Sequence, residues 1–214
     1  MSKGEQRPFG FEGSDRLFLP APKRQEAKTE NRLVLVTGGA RSGKSRWAEH
    51  LLQEQGGGVL YVATALPIDE EMQDRINRHR TRRPPHWRTL EGYSGLARLI
   101  RETRLFREAV LLDCLTIMVT NLLLDAVKDF DRVTPQEAET VEKAIEQEVV
   151  SLVKALREIE STAVIVTNEV GMGLVPDNPL GRLFRDVCGR MNQLVAAEAD
   201  EVYLVVCGIP VRIK

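Results

Sequence analysis

The run LVLVTGGARSGKS, residues 33–45, constrains the fold more than any other stretch of the chain. LVLVT is continuous, apolar and β-branched, the pattern of a strand covered on both faces. GGARSGKS follows at once and matches G-x-x-x-x-G-K-[ST], and the helical pattern of SRWAEHLLQEQ opens inside it. Strand, glycine loop and helix in this order form the phosphate-binding unit of P-loop α/β proteins. Gly38, Gly39 and Gly43 let the loop through Ala40, Arg41 and Ser42 wrap with its N–H groups facing inward. Lys44 offers a mobile positive charge for the β- and γ-phosphates of a nucleotide, Ser45 a hydroxyl for Mg²⁺, and the helix N-terminus its dipole.

Further strand patterns follow: VLYVAT (59–64), AVLLD (109–113), TAVIVT (162–167) and EVYLVV (201–206). Helical stretches lie between them, the longest around 136–159 and another around 180–199. Alternating strands and helices predict an α/β fold, a mainly parallel sheet with helices on both faces. The first residues differ: 1–31 are rich in Gly, Pro and charge without periodicity, and read as a flexible extension with Phe9, Phe11 and Phe18 as docking points. Residues 32–214 form the single expected domain.

Composition excludes several roles. With 30 basic and 31 acidic residues the net charge is −1, so there is no general field for a polyanion and no expectation of nucleic-acid binding. No apolar run is long enough to span a bilayer, and the N-terminus lacks the apolar core of a signal peptide. Cys114, Cys188 and Cys207 are widely separated and read as core thiols of a reducing compartment, so the expected location is cytoplasmic.

Asp113 closes the run VLLD, the position of the second acidic group of a P-loop site, where it would orient Mg²⁺; capping the helix that starts at Leu115 is the plainer role, and the two are compatible. Neither a DxxG after this strand nor an NKxD is present, which argues against a signalling GTPase. RINRHRTRRP, residues 75–84, sets His79 among Arg75, Arg78, Arg80, Arg82 and Arg83. Asp69 is the expected N-cap of a helix with Glu70 and Glu71 in its first turn, ending before Pro84. Helical spacing puts Met72, Ile76 and His79 on one inward face, with Arg75 and Arg82 beside it. Guanidinium neighbours disfavour a protonated ring, and a neutral imidazole is a nucleophile. Attack on an α-phosphate and service as a core histidine with one hydrogen bond are both open. His50, on the P-loop helix, and His86, at a strand entry, are weaker candidates.

Taken together, GGARSGKSRWAE, RINRH with RRPPHWRT, LLDCLTIMVTNLL, VTNEVGMGLVP and the segment from LGRLFRDVCGRMNQ to VRIK resemble the bifunctional adenosylcobinamide kinase/adenosylcobinamide-phosphate guanylyltransferases of cobalamin biosynthesis, from about Leu33 to the C-terminus. The resemblance implies a RecA-like P-loop domain, a homotrimer, and two reactions. A nucleoside triphosphate, ATP or GTP, phosphorylates the aminopropanol hydroxyl of adenosylcobinamide, and GMP from GTP then passes to that phosphate through a guanylyl-histidine. On this chain the resemblance makes His79 that histidine. Gly38–Ser45, Ala63, Thr64, Ala65, Arg80, Thr81, Arg82, Arg83, Glu91 and Asp113 become nucleotide contacts, with Lys44 also catalytic and Ser45 and Asp113 the metal ligands. Some members have two adjacent histidines where this chain has Arg78 before His79. Asn168 and Glu169 stand at a strand's carboxyl end, with Glu169 either a general base or a loop former. Arg182, Arg185 and Arg190 on the following helix are weaker candidates for an acidic partner or the corrinoid's phosphate. A simple P-loop small-molecule kinase and a nucleotide-dependent switch are the competing readings.

Overall fold

In the computed structural model, the described residues are 31–214 without Ile68, Leu105, Phe106, Phe130, Asp131 and Leu174; the side chains of Glu71, Met72, Arg75 and Arg82 are also left undescribed. The expected extension, with Phe9, Phe11 and Phe18, lies outside the described residues, as do the side-chain placements expected of Met72, Arg75 and Arg82.

Each apolar run forms a strand: β1 (Arg32–Thr37), β2 (Val59–Ala63), β4 (Ala109–Asp113), β5 (Thr162–Val166) and β6 (Glu201–Val206). They join β3 (Arg88–Glu91) and β7 (Ile209–Arg212) in one seven-stranded sheet of order β3-β2-β4-β5-β1-β6-β7. All pairings are parallel except β6 with β7. β2, β4 and β5 are buried along nearly their whole length, as strands covered on both faces must be. One apolar layer gathers Leu33, Leu35, Val62, Leu112 and Ile165 under α3 (Leu96–Thr103), α4 (Leu115–Ala126), α5 (Pro135–Arg157) and α6 (Pro179–Glu198). The opposite layer sets Val34, Val36, Tyr61, Leu111 and Val166 against Trp47, Ala48, Leu51 and Leu52 of α1 (Lys44–Gln53).

Chain order and sheet order diverge at β1. Its helix leads to β2, which lies three places away across β5 and β4. The carboxyl ends of β1, β2, β4 and β5 therefore meet along one rim, the edge where open α/β sheets take ligands. α2 (Glu70–Arg82) follows the rim end of β2 and stops two residues before Pro84, because the residue before proline is driven out of the helical region.

Candidate active site

The P-loop takes the shape its glycines were expected to allow. Gly43, with φ 97°, is the residue before α1, and a Cβ on it would lie 3.1 Å from Gly208 Cα. A Cβ on Gly38 would lie 2.5 Å from the Val205 carbonyl oxygen. These approaches let the turn between β6 and β7 brace the loop: the Gly208 N–H donates to the Ser42 carbonyl at 2.8 Å. Lys44 is buried, and its Nζ donates to the Gly39 carbonyl at 3.1 Å, so the ammonium is folded over the loop that would hold phosphate.

A cleft above the loop is lined by Lys44, Ser45, Tyr61, Ala63, Ala65, Ile76, His79, Arg83, Asp113, Cys114, Ile117 and Asn168. The inward face expected for α2 is borne out at Ile76 and His79. Asp113 is the hub. Its Oδ1 accepts from Ser45 Oγ at 3.2 Å and its Oδ2 from the Tyr61 hydroxyl at 2.6 Å, and Oδ2 stands 3.6 Å from His79 Nδ1. Capping of α4 by Asp113 is not observed: Cys114 occupies that position and makes no side-chain cap bond. The carboxylate is instead turned into the cleft, and Thr64 keeps it there. Thr64 Oγ1 accepts from the Cys114 N–H at 2.9 Å and donates to the Cys114 carbonyl at 2.8 Å.

Tyr61 is the residue that motif reading missed. Its ring is buried in the sheet, and the Arg83 guanidinium carbon lies 3.4 Å from the ring centroid, a cation–π contact. Burial, and next the Asp113 carboxylate, push its phenol well above the ordinary tyrosine range, so the hydroxyl stays a donor. The one available signal was a phenol in the middle of a doubly covered strand, since a buried Tyr hydroxyl needs a polar partner. Which partner depends on tertiary structure.

The other predicted residues divide by position. Ala63, Ala65 and Arg83 line the cleft with the P-loop pair. Thr64 is buried behind it, while Arg80, Thr81 and Glu91 are exposed, with Arg80 4.0 Å from Glu91 and the Thr81 hydroxyl donating to Asn77 O. Asn168 faces the cleft, fixed by its N–H donating to Thr116 Oγ1 and by Asn192 Nδ2 donating to its carbonyl. Glu169 turns onto its own loop and accepts from the Gly171 N–H at 2.7 Å, which is the loop-forming role. Arg182 donates to the carbonyls of Pro176 and Asp177, Arg185 pairs with Asp186, and Arg190 pairs with Glu142. His50 pairs with Glu54 at 3.4 Å on the far side of α1, and His86 is exposed. Cys114 and Cys188 are buried as expected; Cys207 is exposed, because it sits in the β6–β7 turn with φ 50°. Among the described residues that line the cleft, Arg83 Nε and Asn168 Oδ1 are buried without a hydrogen-bond partner.

The family model for cobinamide kinase/cobinamide phosphate guanyltransferase, CobU, matches residues 34–213. The chain belongs to the CobU family. Similar to it are the bifunctional adenosylcobalamin biosynthesis proteins CobU of Escherichia coli K12, 51% identical, and of Salmonella typhimurium LT2, 49% identical, each over 184 residues covering 85% of this chain and 99% of the relative. CobP of Pseudomonas aeruginosa PAO1, of the same description, is 41% identical over 180 residues, 84% of this chain and 96% of its own. The CobU-family match begins within β1 and takes in the P-loop, α2, Asp113 and the β6–β7 turn, so all the cleft residues fall inside it.

Proposed function

We propose that this chain catalyses both reactions of its family at the cleft beside the P-loop, with His79 carrying the nucleotidyl group between them. The kinase and guanyltransferase activities on cobinamide follow from family membership. In the first reaction the P-loop N–H groups and Lys44 bind the triphosphate, and the terminal phosphoryl passes to the aminopropanol hydroxyl of adenosylcobinamide. In the second, His79 displaces pyrophosphate from the α-phosphate of GTP and hands GMP to the new phosphate. The observation that carries this reading is the placement of His79. Its ring enters the same cleft as Lys44 and Ser45 and faces a carboxylate, the arrangement of a nucleophile with an orienting acid. Arg83, also in the cleft, brings positive charge for the leaving oxygens.

Ser45 and Asp113 fit a hard divalent cation, since two oxygens converge beside the phosphate loop. They would hold Mg²⁺, which when bound offsets phosphate charge. Ala63, Ala65 and Asn168 supply the wall against which nucleotide and acceptor lie, and exposed Glu91, Arg80 and Thr81 stand as rim contacts for the guanine end. We place the protein in the cytoplasm, in keeping with three free cysteines and with the absence of any described helix long and apolar enough to cross a membrane. We further propose a homotrimer, for which the apolar edge of the sheet at β7 provides a surface to bury.

The test uses GTP labelled at the α-phosphate. Incubation with Mg²⁺ followed by denaturation leaves label on the chain as an acid-labile, alkali-stable adduct, and His79→Ala abolishes it. A chain that binds GTP and takes no label excludes the guanylyl-histidine and leaves a P-loop kinase.

A further inference from the structure

The cleft divides one carboxylate among three neighbours. Asp113 presents Oδ1 to Ser45 on the phosphate side, and Oδ2 to both Tyr61 and His79. A neutral imidazole holds a single N–H, and the partner facing one nitrogen decides which nitrogen carries it. A carboxylate facing Nδ1 favours the proton there and leaves a lone pair on Nε2. That preference holds only while the carboxylate keeps its orientation. A free aspartate rotates about its terminal torsion over a broad range. Here the Tyr61 hydroxyl stops that rotation from one side and Ser45 from the other, at 2.6 Å and 3.2 Å. Tyr61 cannot follow a moving acid, because its ring is fixed in the core and covered by Arg83.

We propose that Tyr61 is a positioning residue for nucleotidyl transfer: by donating to Asp113 Oδ2 it holds the acid where the His79 proton stays on Nδ1 and Nε2 is the nucleophile. This inference rests on the guanylyl-histidine reading. In the step, the Nε2 lone pair forms the bond to the α-phosphorus while the bond from that phosphorus to the α–β bridging oxygen breaks, its electron pair leaving with pyrophosphate. The ring keeps its Nδ1–H and becomes positively charged, and Asp113 offsets that charge. When an oxygen of the acceptor phosphate attacks the phosphorus, the N–P electron pair returns to Nε2 and the starting tautomer is restored. No proton is gained or lost at the histidine across the cycle.

Two measurements decide it. The first is a long-range ¹H–¹⁵N correlation spectrum of the histidine rings in the whole chain at about pH 8.5, above the ordinary imidazole range, with His79→Ala assigning the signal. The expected result is the Nδ1–H form; the Nε2–H form, or a mixture, overturns the proposal. The second is the rate of α-label uptake in Tyr61→Phe, which removes only the hydroxyl. At saturating GTP it falls about tenfold, as loss of a hydrogen bond to a charged group implies, while the KM for GTP stays within about twofold because the phosphate loop is untouched. The His79 signal also shifts towards a tautomer mixture. A tyrosine that merely fills the core would lower the melting temperature and leave the tautomer and the rate at saturation as they are, and that result overturns the proposal. Should Tyr61→Phe fail to fold, the wild-type spectrum still decides. A wild-type chain that binds GTP and takes no label overturns the function proposed above, and this inference with it; label that persists at full rate in Tyr61→Phe overturns this inference alone.

Discussion

Thr64 has one hydroxyl and uses it twice on the same neighbour, accepting from the Cys114 N–H and donating to the Cys114 carbonyl. The residue is buried, so neither backbone group has water as a substitute. Thr64→Val keeps the shape and strands the Cys114 N–H, while the Cys114 carbonyl keeps the Met118 N–H at 3.1 Å, and a loss of about 2 kcal/mol in unfolding free energy is expected from leaving a buried donor unmet. Urea unfolding reads that loss, and a change under about 0.5 kcal/mol, the scatter of ordinary surface substitutions, would mean the Cys114 N–H is satisfied elsewhere. Label uptake should fall as well, since Thr64 fixes the chain next to Asp113. The resemblance had placed Thr64 among the nucleotide contacts, whereas the structure sets it behind the cleft as support. Lys44, Ser45 and Asp113 were legible because their chemistry is local: a fixed spacing after a strand, or the last residue of one. Tyr61 was not legible, since a phenol in an apolar run acquires meaning only when β4 is laid beside β2 and Asp113 falls next to Ala63.

At the scale of elements, the long helices were legible because they carry both period and punctuation. α5 begins at a complete capping box: Thr134 Oγ1 accepts from the Glu137 N–H, and Glu137 accepts from the Thr134 N–H. Removing the cap with Thr134→Ala is expected to cost about 1 kcal/mol. The same box makes a pH prediction. The Thr134 N–H, and next its hydroxyl, hold the Glu137 carboxyl below the ordinary glutamate range. A carboxyl lowered on folding stabilises the fold above its unfolded value, and that contribution is lost as pH falls through the folded one. The stability difference between wild type and Glu137→Gln should therefore be present at neutral pH and shrink to nothing in strong acid. Thermal melts across that range check it, and a difference that grows in acid would contradict the sign. Short edge elements carried no comparable signal. β3 is four residues of alternating exposure, and β7 contains Pro210, which a strand tolerates only at an edge. Both form because a finished sheet offers them a neighbour.

For the molecule as a whole, the class of fold was legible and the order of its strands was not, because alternation of strand and helix predicts a parallel sheet without saying where β1 sits. That order has a consequence at the free edge beyond β6. Alternate residues Ile209, Val211 and Ile213 project with Val206 from one face of the β6–β7 hairpin, and all four are exposed. An apolar, exposed edge strand is a template for association, and proteins usually charge, bulge or cover such edges. Here Arg212 lies on the opposite face, 3.9 Å from Glu201, and Lys214 Nζ donates back to the carbonyls of Ala196 and Ala197. The homotrimer proposed above would bury this stripe. Light scattering after gel filtration at micromolar concentration should give three times the 24.0 kDa chain mass, and Ile209→Lys with Val211→Lys should reduce it to that of one chain by placing like charges in the contact. Because the same hairpin turn braces Ser42 of the P-loop, the monomeric variant should also bind nucleotide more weakly. A wild-type monomer would remove the trimer, and a trimer that survives both lysines would move its contact to another face of the sheet.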